Sequence, residues 1–286
     1  MNFLVSLLGR LPRDWLQTGS RIQWRYPVCK RLFDFVANHV RRQDGTIQQG
    51  RGRGLRFNCG GANAGYLLGT SEPDMQEALH HLLRPGMSFY DIGANVGFFT
   101  ILAAKLVGPT GRVVAFEPVN ANAHWLEHNL KLNGFHHVFI RQMALGNQDG
   151  EAAFRVSAES TWGKLAYTGP VNQETAVIQV PIRSLDKLHA NGELPRPDLL
   201  KIDVEGAEVD VLRGSAETLR AVRPLLLIEL HGTNADVADL LSGLQYRVQV
   251  LGSRASILES PWYAQIFAWP SENAEAAGFA EFLGAS

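Results

Sequence analysis

Five ionisable residues follow directly on apolar segments that are typical of buried strands: Asp91, Asp203, Glu205, Glu229 and His231. Parallel strands bring their carboxyl ends to one edge of a sheet, which is where open α/β sheets bind ligands. A carboxylate among apolar residues needs a partner or a function, because an unpaired charge is costly to bury. We therefore predict that these five side chains meet, and that the last four form a catalytic group.

Two kinds of chemistry fit this group, and the sequence leaves both open. In the first, His231 or one of the carboxylates is a general base that takes the proton from an attacking hydroxyl group. In the second, Asp203, Glu229 and His231 hold a divalent metal such as Mg²⁺, which lowers the pKa of the hydroxyl. A histidine that merely caps a loop at the strand end is the structural alternative for His231.

A glycine-containing turn after the first strand predicts a nucleotide-type cofactor. Residues 89–100 pass from an apolar strand through a turn with Gly93 and Gly97 into an apolar helix, which brings bare backbone close to a ligand. The turn lacks the close glycine pair of a dinucleotide fingerprint. Its leading acid, Asp91, would repel a pyrophosphate and suits the amino group of a methionine moiety. Glu117, at the end of the second strand, is placed to accept both hydroxyls of a ribose.

These features favour S-adenosylmethionine over a nicotinamide cofactor. The segment after the third strand is expected beside the adenine of a nucleoside that lies across the strand ends. The predicted cofactor contacts are Asp91, Gly93, Ala94, Asn95, Gly97, Glu117, Pro118, Gln142 and Ala144.

The elements that must position these residues alternate between strand and helix, which predicts a parallel sheet covered by helices. Strands are expected at 88–92, 112–116, 137–142, 198–203 and 224–232, followed by two final, antiparallel strands at 246–251 and 264–268. The pattern predicts helices at 96–107, 119–133, 204–219 and 235–244, and a further helix to residue 83 that Ser71 caps and in which Pro73 lies in the first turn. Residues 150–183 break the alternation with an antiparallel pair around a polar loop, which we interpret as a lid.

Composition places a basic segment ahead of this body. Residues 1–56 carry ten Arg, one Lys and three acids, so their net charge is +8, and the rest of the chain carries −9 to give the total of −1. Residues 1–64 are predicted to form a helical and hairpin extension to a catalytic domain at 65–286. An anionic surface or carrier is a candidate partner for the extension, and packing on the chain's own acidic body is the alternative. The RGRG stretch at 51–54 predicts a turn rather than a nucleic-acid tail.

Two distant cysteines and no secretory signal indicate a reducing, cytoplasmic setting. Residues 1–25 could attach the protein to the inner face of a membrane as an amphipathic helix. The sequence leaves open whether the protein is a homodimer.

Several segments resemble the FkbM-type S-adenosylmethionine-dependent methyltransferases. They are residues 90–97, 116–118, 144–146, 184–186 and 200–208, and the resemblance extends over about residues 65 to 250. The Asp-Val-Glu-Gly-Ala-Glu segment at 203–208 is the most specific of them. The resemblance implies a Rossmann-like class I methyltransferase fold with a mostly parallel seven-stranded sheet, and a methyl group transferred to a hydroxyl. It assigns no catalytic base.

The expected function is therefore O-methylation of a sugar, a glycan or another small natural product. Methylation of nucleic acid or protein is the alternative within enzymes, and the absence of an Asn-Pro-Pro-Tyr-like motif after the fourth strand weighs against nucleobase methylation. A nucleoside-binding protein without catalysis is the alternative outside enzymes.

Overall fold

The computed structural model describes residues 43–157, 163–165 and 175–283. The predictions about the basic segment before residue 43, its partner and its membrane contact lie outside these residues, as does most of the predicted lid loop. Within the described ranges, no helix is both long and apolar enough to cross a membrane.

Thirteen strands are described. In chain order they are β1 (Gly45–Thr46), β2 (Arg56–Phe57), β3 (Ser88–Ile92), β4 (Arg112–Phe116), β5 (Val138–Arg141), β6 (Ala144–Leu145), β7 (Gly150–Ser157), β8 (Gly163–Leu165), β9 (Thr175–Arg183), β10 (Leu199–Ile202), β11 (Leu225–Glu229), β12 (Tyr246–Val250) and β13 (Gln265–Pro270).

Nine helices are described among them. They are α1 (Gly65–Leu68), α2 (Pro73–Leu82), α3 (Phe98–Val107), α4 (Asn120–Asn133), α5 (Leu185–Ala190), α6 (Glu208–Arg213), α7 (Ala216–Val222), α8 (Asn234–Gly243) and α9 (Ala274–Leu283).

The main sheet has seven strands in the order β12-β13-β11-β10-β3-β4-β5. The pairs from β11 to β5 are parallel, and β13 runs antiparallel to both β11 and β12. This confirms the predicted α/β architecture, the Rossmann-like class I methyltransferase fold with a mostly parallel seven-stranded sheet. Strand β10 lies next to β3, so the ends of the first and fourth strands of the alternation meet, as predicted.

Both faces of the sheet are covered, because successive side chains of a strand point to opposite sides. Phe89, Leu199 and Phe267 belong to one buried cluster together with residues of α2, α3 and α9. Their chain neighbours Tyr90 and Leu200 belong to the cluster on the opposite face, with residues of α5 to α8. All four residues of β10 are buried, which explains its continuous apolar pattern.

A second, four-stranded sheet in the order β6-β9-β7-β8 leaves the main sheet after β5. Strands β7 and β9 form the predicted antiparallel pair, in register from Gly150 opposite Ile182 to Ser157 opposite Thr175. Phe154 of this pair packs in a small buried cluster with Val119 and Ala207, so the insertion packs against the carboxyl edge of the main sheet. The closing motion of a lid stays a prediction.

Several local predictions need correction. Helix α2 begins at Pro73, but its N-cap is Glu72 in the left-handed conformation, not Ser71. The helix expected at 204–219 is two helices that part at Gly214, where a β-carbon would lie 1.9 Å from the carbonyl oxygen of Gly146. Helix α9 was not predicted. The turn expected at 51–54 is confirmed.

Strands β1 and β2 form the short antiparallel pair predicted before the main domain. Phe57 of β2 is fully buried in the same cluster as Phe89, so this hairpin shares the core of the main sheet. Asn129 of α4 accepts a hydrogen bond from the backbone of Asn58 and donates one back to it. The boundary predicted at residue 64 stays a prediction.

Candidate functional site

The turn after β3 holds three strand ends together. The amides of Gly93 and Ala94 both donate to the carbonyl oxygen of Phe116, the last residue of β4, at 3.0 Å. Gly93 has φ +85°, and a β-carbon there would lie 1.8 Å from the carbonyl oxygen of Asp203. Only glycine fits at this position, so the ends of β3, β4 and β10 approach one another through bare backbone.

Glu117 is the most firmly held acid at this edge. One oxygen of its carboxylate, Oε2, accepts the amide of Asn95 at 2.8 Å, and the other, Oε1, accepts the amide of Val119 at 2.9 Å and the Asn122 side chain at 3.2 Å. Only 4% of the residue is exposed. Burial outweighs these hydrogen bonds and raises the pKa of Glu117 to about 7.

A cavity lies between Glu117 and the end of β10. It encloses about 640 Å³ of empty space, a figure that includes the part open to solvent. Polar groups stand at its two ends, Glu117 at one and Asp203 with Glu205 at the other. Its remaining lining is mostly apolar or backbone: Ile92, Gly93, Asn95, Phe116, Pro118, Asn122, Met143, Ala144, Leu145, Phe154, Val204 and Ala207.

The cavity brings together five of the nine predicted cofactor contacts: Gly93, Asn95, Glu117, Pro118 and Ala144. The other four do not line it. Gly97 packs against Leu126, where a β-carbon would come within 2.2 Å, and Ala94 is buried in the core. Gln142 lies in a separate surface depression beside α4, and its neighbour Met143 reaches the cavity instead.

Asp91 faces a lysine rather than the cavity. It is directly opposite Lys201 in the β3–β10 register, and residues paired in this way share a face of the sheet. Its Oδ2 accepts the Thr100 hydroxyl at 2.6 Å, and its Oδ1 lies 3.7 Å from the Lys201 ammonium. Burial raises the pKa of Asp91, while Lys201 and Thr100 act to lower it. A contact from Asp91 to the cofactor stays a prediction.

Lys201 also binds the first predicted catalytic acid. Its ammonium is 3.0 Å from Asp203 Oδ2 and 5.0 Å from the centre of the Phe99 ring, and 1% of the residue is exposed. Lys201 therefore joins the buried acid of β3 to the acid that borders the cavity.

Two more carboxylates stand beside Asp203. Gln265 donates to Glu229 at 2.9 Å and to Glu72 at 3.0 Å, and Tyr66 donates to Glu72 at 2.8 Å. Burial and the charges of Asp203 and Glu229 raise the pKa of Glu72 to about 8. Burial is also the main reason that the pKa of Glu229 is raised.

His231 is surrounded by acids. Its Nδ1 is 3.0 Å from Glu208 Oε1, and its Nε2 is 3.6 Å from Glu205 Oε2 and 4.0 Å from both Asp203 Oδ1 and Glu229 Oε1. Burial lowers the pKa of His231, but the hydrogen bond to Glu208 and the surrounding carboxylates outweigh it and raise the value to about 9.

The structure thus brings together all four predicted catalytic residues, of which Asp203 and Glu205 line the cavity. Two groups of side chains in the described part of the chain are close enough to hold a metal ion, and both include Asp203. The first adds Glu205 and His231, and the second adds Glu72 and Glu229. The predicted trio of Asp203, Glu229 and His231 is not one of these groups, and a metal stays a prediction.

Backbone strain is concentrated at the same edge. Glu72, Asn95 and Glu205 have φ of 47°, 51° and 54°, and they are three of the five non-glycine residues with positive φ in the described part of the chain. Such conformations cost about 1–3 kcal/mol each and persist where the surrounding structure imposes them, typically at functional sites.

Sequence reasoning missed three groups of this site. They are Glu72 and Gln265, which come from opposite ends of the domain, and Glu208, which follows the fourth strand of the alternation. No local pattern marks the first two, because their meeting depends on contacts across 193 residues of sequence. Glu208 belongs to the most specific segment of the family resemblance, which is the signal that could have identified it.

Comparison with known proteins places the chain in a family. The model described as "Methyltransferase FkbM domain" matches residues 91–248. "Methyltransferase 1" of Beauveria bassiana is 31% identical over 165 residues, which cover 52% of this chain and 66% of that protein. "Hexuronic acid methyltransferase AglP" of Haloferax volcanii is 29% identical over 164 residues, which cover 56% of this chain and 64% of that protein.

Solved structures include the methyltransferase FkbM from Methylobacillus flagellatus, which is 18% identical with a TM-score of 0.45 over 72% of this chain and 52% of that one. The chain thus spans slightly less than two thirds of the two relatives named above. The family model covers more than half of the 286 residues, and we conclude that the chain belongs to the FkbM methyltransferase family.

Proposed function

We propose that the protein is an S-adenosylmethionine-dependent O-methyltransferase that acts on a hydroxyl group of a sugar, glycan or other natural product. The observation that carries this proposal is the arrangement of one cavity between two acidic ends. Glu117 at one end suits a ribose, and Asp203 and Glu205 at the other end adjoin His231.

The residues of the cavity fit the cofactor. Glu117 has each oxygen anchored by a backbone amide and Asn122 occupies the second site of Oε1, so Oε2 keeps one lone pair of defined direction for a ribose hydroxyl. Phe116, Met143 and Leu145 offer the apolar walls that an adenine requires. When bound, S-adenosylmethionine supplies a methyl group on a positively charged sulfur, and negative charge at the Asp203 end of the cavity favours such a cation.

The chain's own contribution to the reaction is to place and deprotonate the acceptor. Carboxylate oxygens of Asp203 and Glu205 accept hydrogen bonds from hydroxyl groups, which orients an acceptor at the cavity rim. His231 Nε2, which faces the same carboxylates, takes the proton of the attacking hydroxyl as general base. A sugar acceptor is supported by the Haloferax relative, which is named for hexuronic acid.

The proposal is tested by incubating the protein with methyl-labelled S-adenosylmethionine and a panel of sugars, glycans and polyketide-like alcohols. We expect an O-methyl product, identified by mass and by the chemical shift of the new methyl group. If the label enters only nucleic acid or protein, the proposed acceptor class is wrong and the acceptor is that macromolecule. Label that enters nothing, with tight cofactor binding, would favour the non-catalytic alternative.

The affinity for S-adenosylmethionine should depend on the ionisation of Glu117. The ionised carboxylate accepts a charge-assisted hydrogen bond from a ribose hydroxyl and the protonated form cannot, so the affinity is highest above pH 7 and falls as the pH is lowered below it. We expect the dissociation constant to rise by up to about tenfold per pH unit between pH 7 and 5.5. Calorimetry on the Glu117→Gln variant provides the control, because its weaker binding should not change over this range. A flat profile for the unmodified protein would contradict the role of Glu117.

Metal removal distinguishes the two chemistries proposed for the acceptor end. The charges of Lys201 and of protonated His231 already face these carboxylates, so we expect methyl transfer to continue unchanged in EDTA. A loss of rate in EDTA that Mg²⁺ restores would instead support the predicted metal, with Asp203 as the ligand common to both candidate groups.

A further inference from the structure

Glu208 is the most completely buried acid beside the proposed reaction centre. None of its side chain is exposed, yet it carries no lysine or arginine partner among the described contacts. Its Oε1 accepts the amide of Gly206 at 2.9 Å and lies 3.0 Å from His231 Nδ1, and its Oε2 accepts the Thr233 hydroxyl at 2.8 Å. The carboxylate is therefore held on both oxygens.

This arrangement determines which nitrogen of His231 can face the acceptor. The Gly206 amide is always a donor, so Glu208 Oε1 is an acceptor and His231 Nδ1 must carry a proton to bind it. When the imidazole is neutral, its only lone pair is then on Nε2. That atom is the one directed at Glu205, Asp203 and Glu229.

We propose that Glu208 is a positioning residue for catalysis, which holds His231 in the orientation and tautomer that present the Nε2 lone pair to the acceptor hydroxyl. The inference rests on the proposed function, since it assigns to Glu208 a part in the same reaction. Glu208 does not line the cavity and acts only through His231.

A purely structural role for Glu208 makes a different prediction. As an acid in the first turn of α6 it would stabilise the helix end, and its replacement would change stability without changing the imidazole. A readout on the ring of His231 therefore separates the two roles.

Two variants divide the interaction into its parts. In Glu208→Gln, the Gly206 amide selects the amide oxygen for the Oε1 position, and the Thr233 hydroxyl can rotate to accept from the new NH₂ group. The variant thus removes the charge and keeps the acceptor for Nδ1. Glu208→Leu removes both the charge and the hydrogen-bond acceptor for Nδ1. Glu217→Gln on α7, whose side chain is 78% exposed, serves as the matched control.

The direct test is nitrogen NMR of protein labelled in histidine, with the His231 signals identified by their loss in His231→Gln. Above its pKa, we expect His231 to show a protonated Nδ1 and an unprotonated Nε2 in the unmodified protein, in Glu208→Gln and in Glu217→Gln. Glu208→Leu should show a mixture of tautomers. A neutral ring protonated on Nε2 in the unmodified protein would overturn the inference, even if Glu208→Leu did not fold.

Kinetics provide the second readout. Above the pKa of His231, where the imidazole is neutral in every variant, we expect Glu208→Leu to lower kcat by about 10- to 100-fold, the range typical of groups that orient a metal-bound histidine, with KM for S-adenosylmethionine unchanged. Glu208→Gln should lose less than about tenfold. Equal kcat in Glu208→Leu and the unmodified protein would contradict the positioning role. The NMR result needs no acceptor, so it can hold when methyl transfer fails, and the two failures are distinguishable.

Discussion

Replacing His231 with glutamine is expected to lower kcat for methyl transfer by about 10²- to 10⁴-fold, the contribution typical of a general base. His231 is the only imidazole that contacts Asp203 within the described part of the chain, and its Nε2 lies within 4.0 Å of Asp203, Glu205 and Glu229. Glutamine keeps a polar group of similar length, but its amide cannot accept a proton in the pH range in which the imidazole titrates.

The same variant should leave cofactor binding nearly unchanged, because His231 does not line the cavity that holds Glu117. Only the neutral imidazole accepts a proton, so kcat/KM of the unmodified protein should rise between pH 7, where the effect of Glu117 ends, and about 9, the pKa of His231, and this part of the rise should be absent in the variant. His124→Gln, at an exposed position of α4, is the control. A loss of less than tenfold in kcat would assign the base to a carboxylate.

Replacing Lys201 with methionine is expected to lower the free energy of unfolding by about 3–5 kcal/mol, the cost of removing one partner from a buried ion pair. Methionine matches the aliphatic part of the lysine chain, without the ammonium group, and can still pack on Phe99. It leaves Asp91, which is 1% exposed, without its cation, and it removes the bond to Asp203. The loss is measured by chemical denaturation. The slope of the free energy of unfolding against denaturant concentration should be the same in the variant and in the unmodified protein.

A matched pair of controls separates charge from packing in this experiment. Lys131→Met removes an exposed i,i+4 ion pair on α4 and should cost less than about 0.5 kcal/mol. Adding Asp91→Asn to Lys201→Met should recover part of the stability, because it removes the orphaned charge. If Lys201→Met cost less than about 1 kcal/mol, Asp91 and Lys201 would not be a buried pair in solution.

The sheet was predictable because its strands obey a simple local rule. Strands such as β10 and β11 are apolar on both faces, and a parallel sheet covered by helices requires such strands. The turn after β3 was predictable for a similar reason, since Gly93 occupies a backbone conformation that only glycine adopts easily. Both features depend on a few consecutive residues.

Only the part of the site that lies at the ends of the parallel strands was predictable. Asp203, Glu229 and His231 meet because parallel strands end at one edge, which the sequence indicates. Which way each side chain points depends on register, and the register places Asp91 against Lys201 rather than toward the cavity. Glu72 joins the site through a strained residue before α2 and a bond to Gln265, and no local pattern encodes either.

The measurement that bears most directly on cofactor binding in this cavity is calorimetric titration of S-adenosylmethionine and S-adenosylhomocysteine into the unmodified protein and into Glu117→Ala. We expect one binding site for each nucleoside in the unmodified protein. Because Glu117 offers a charge-assisted hydrogen bond worth about 1.5–3 kcal/mol, the variant should bind at least about tenfold more weakly. Absence of binding by either nucleoside, or equal binding by the variant, would contradict the proposed methyltransferase site.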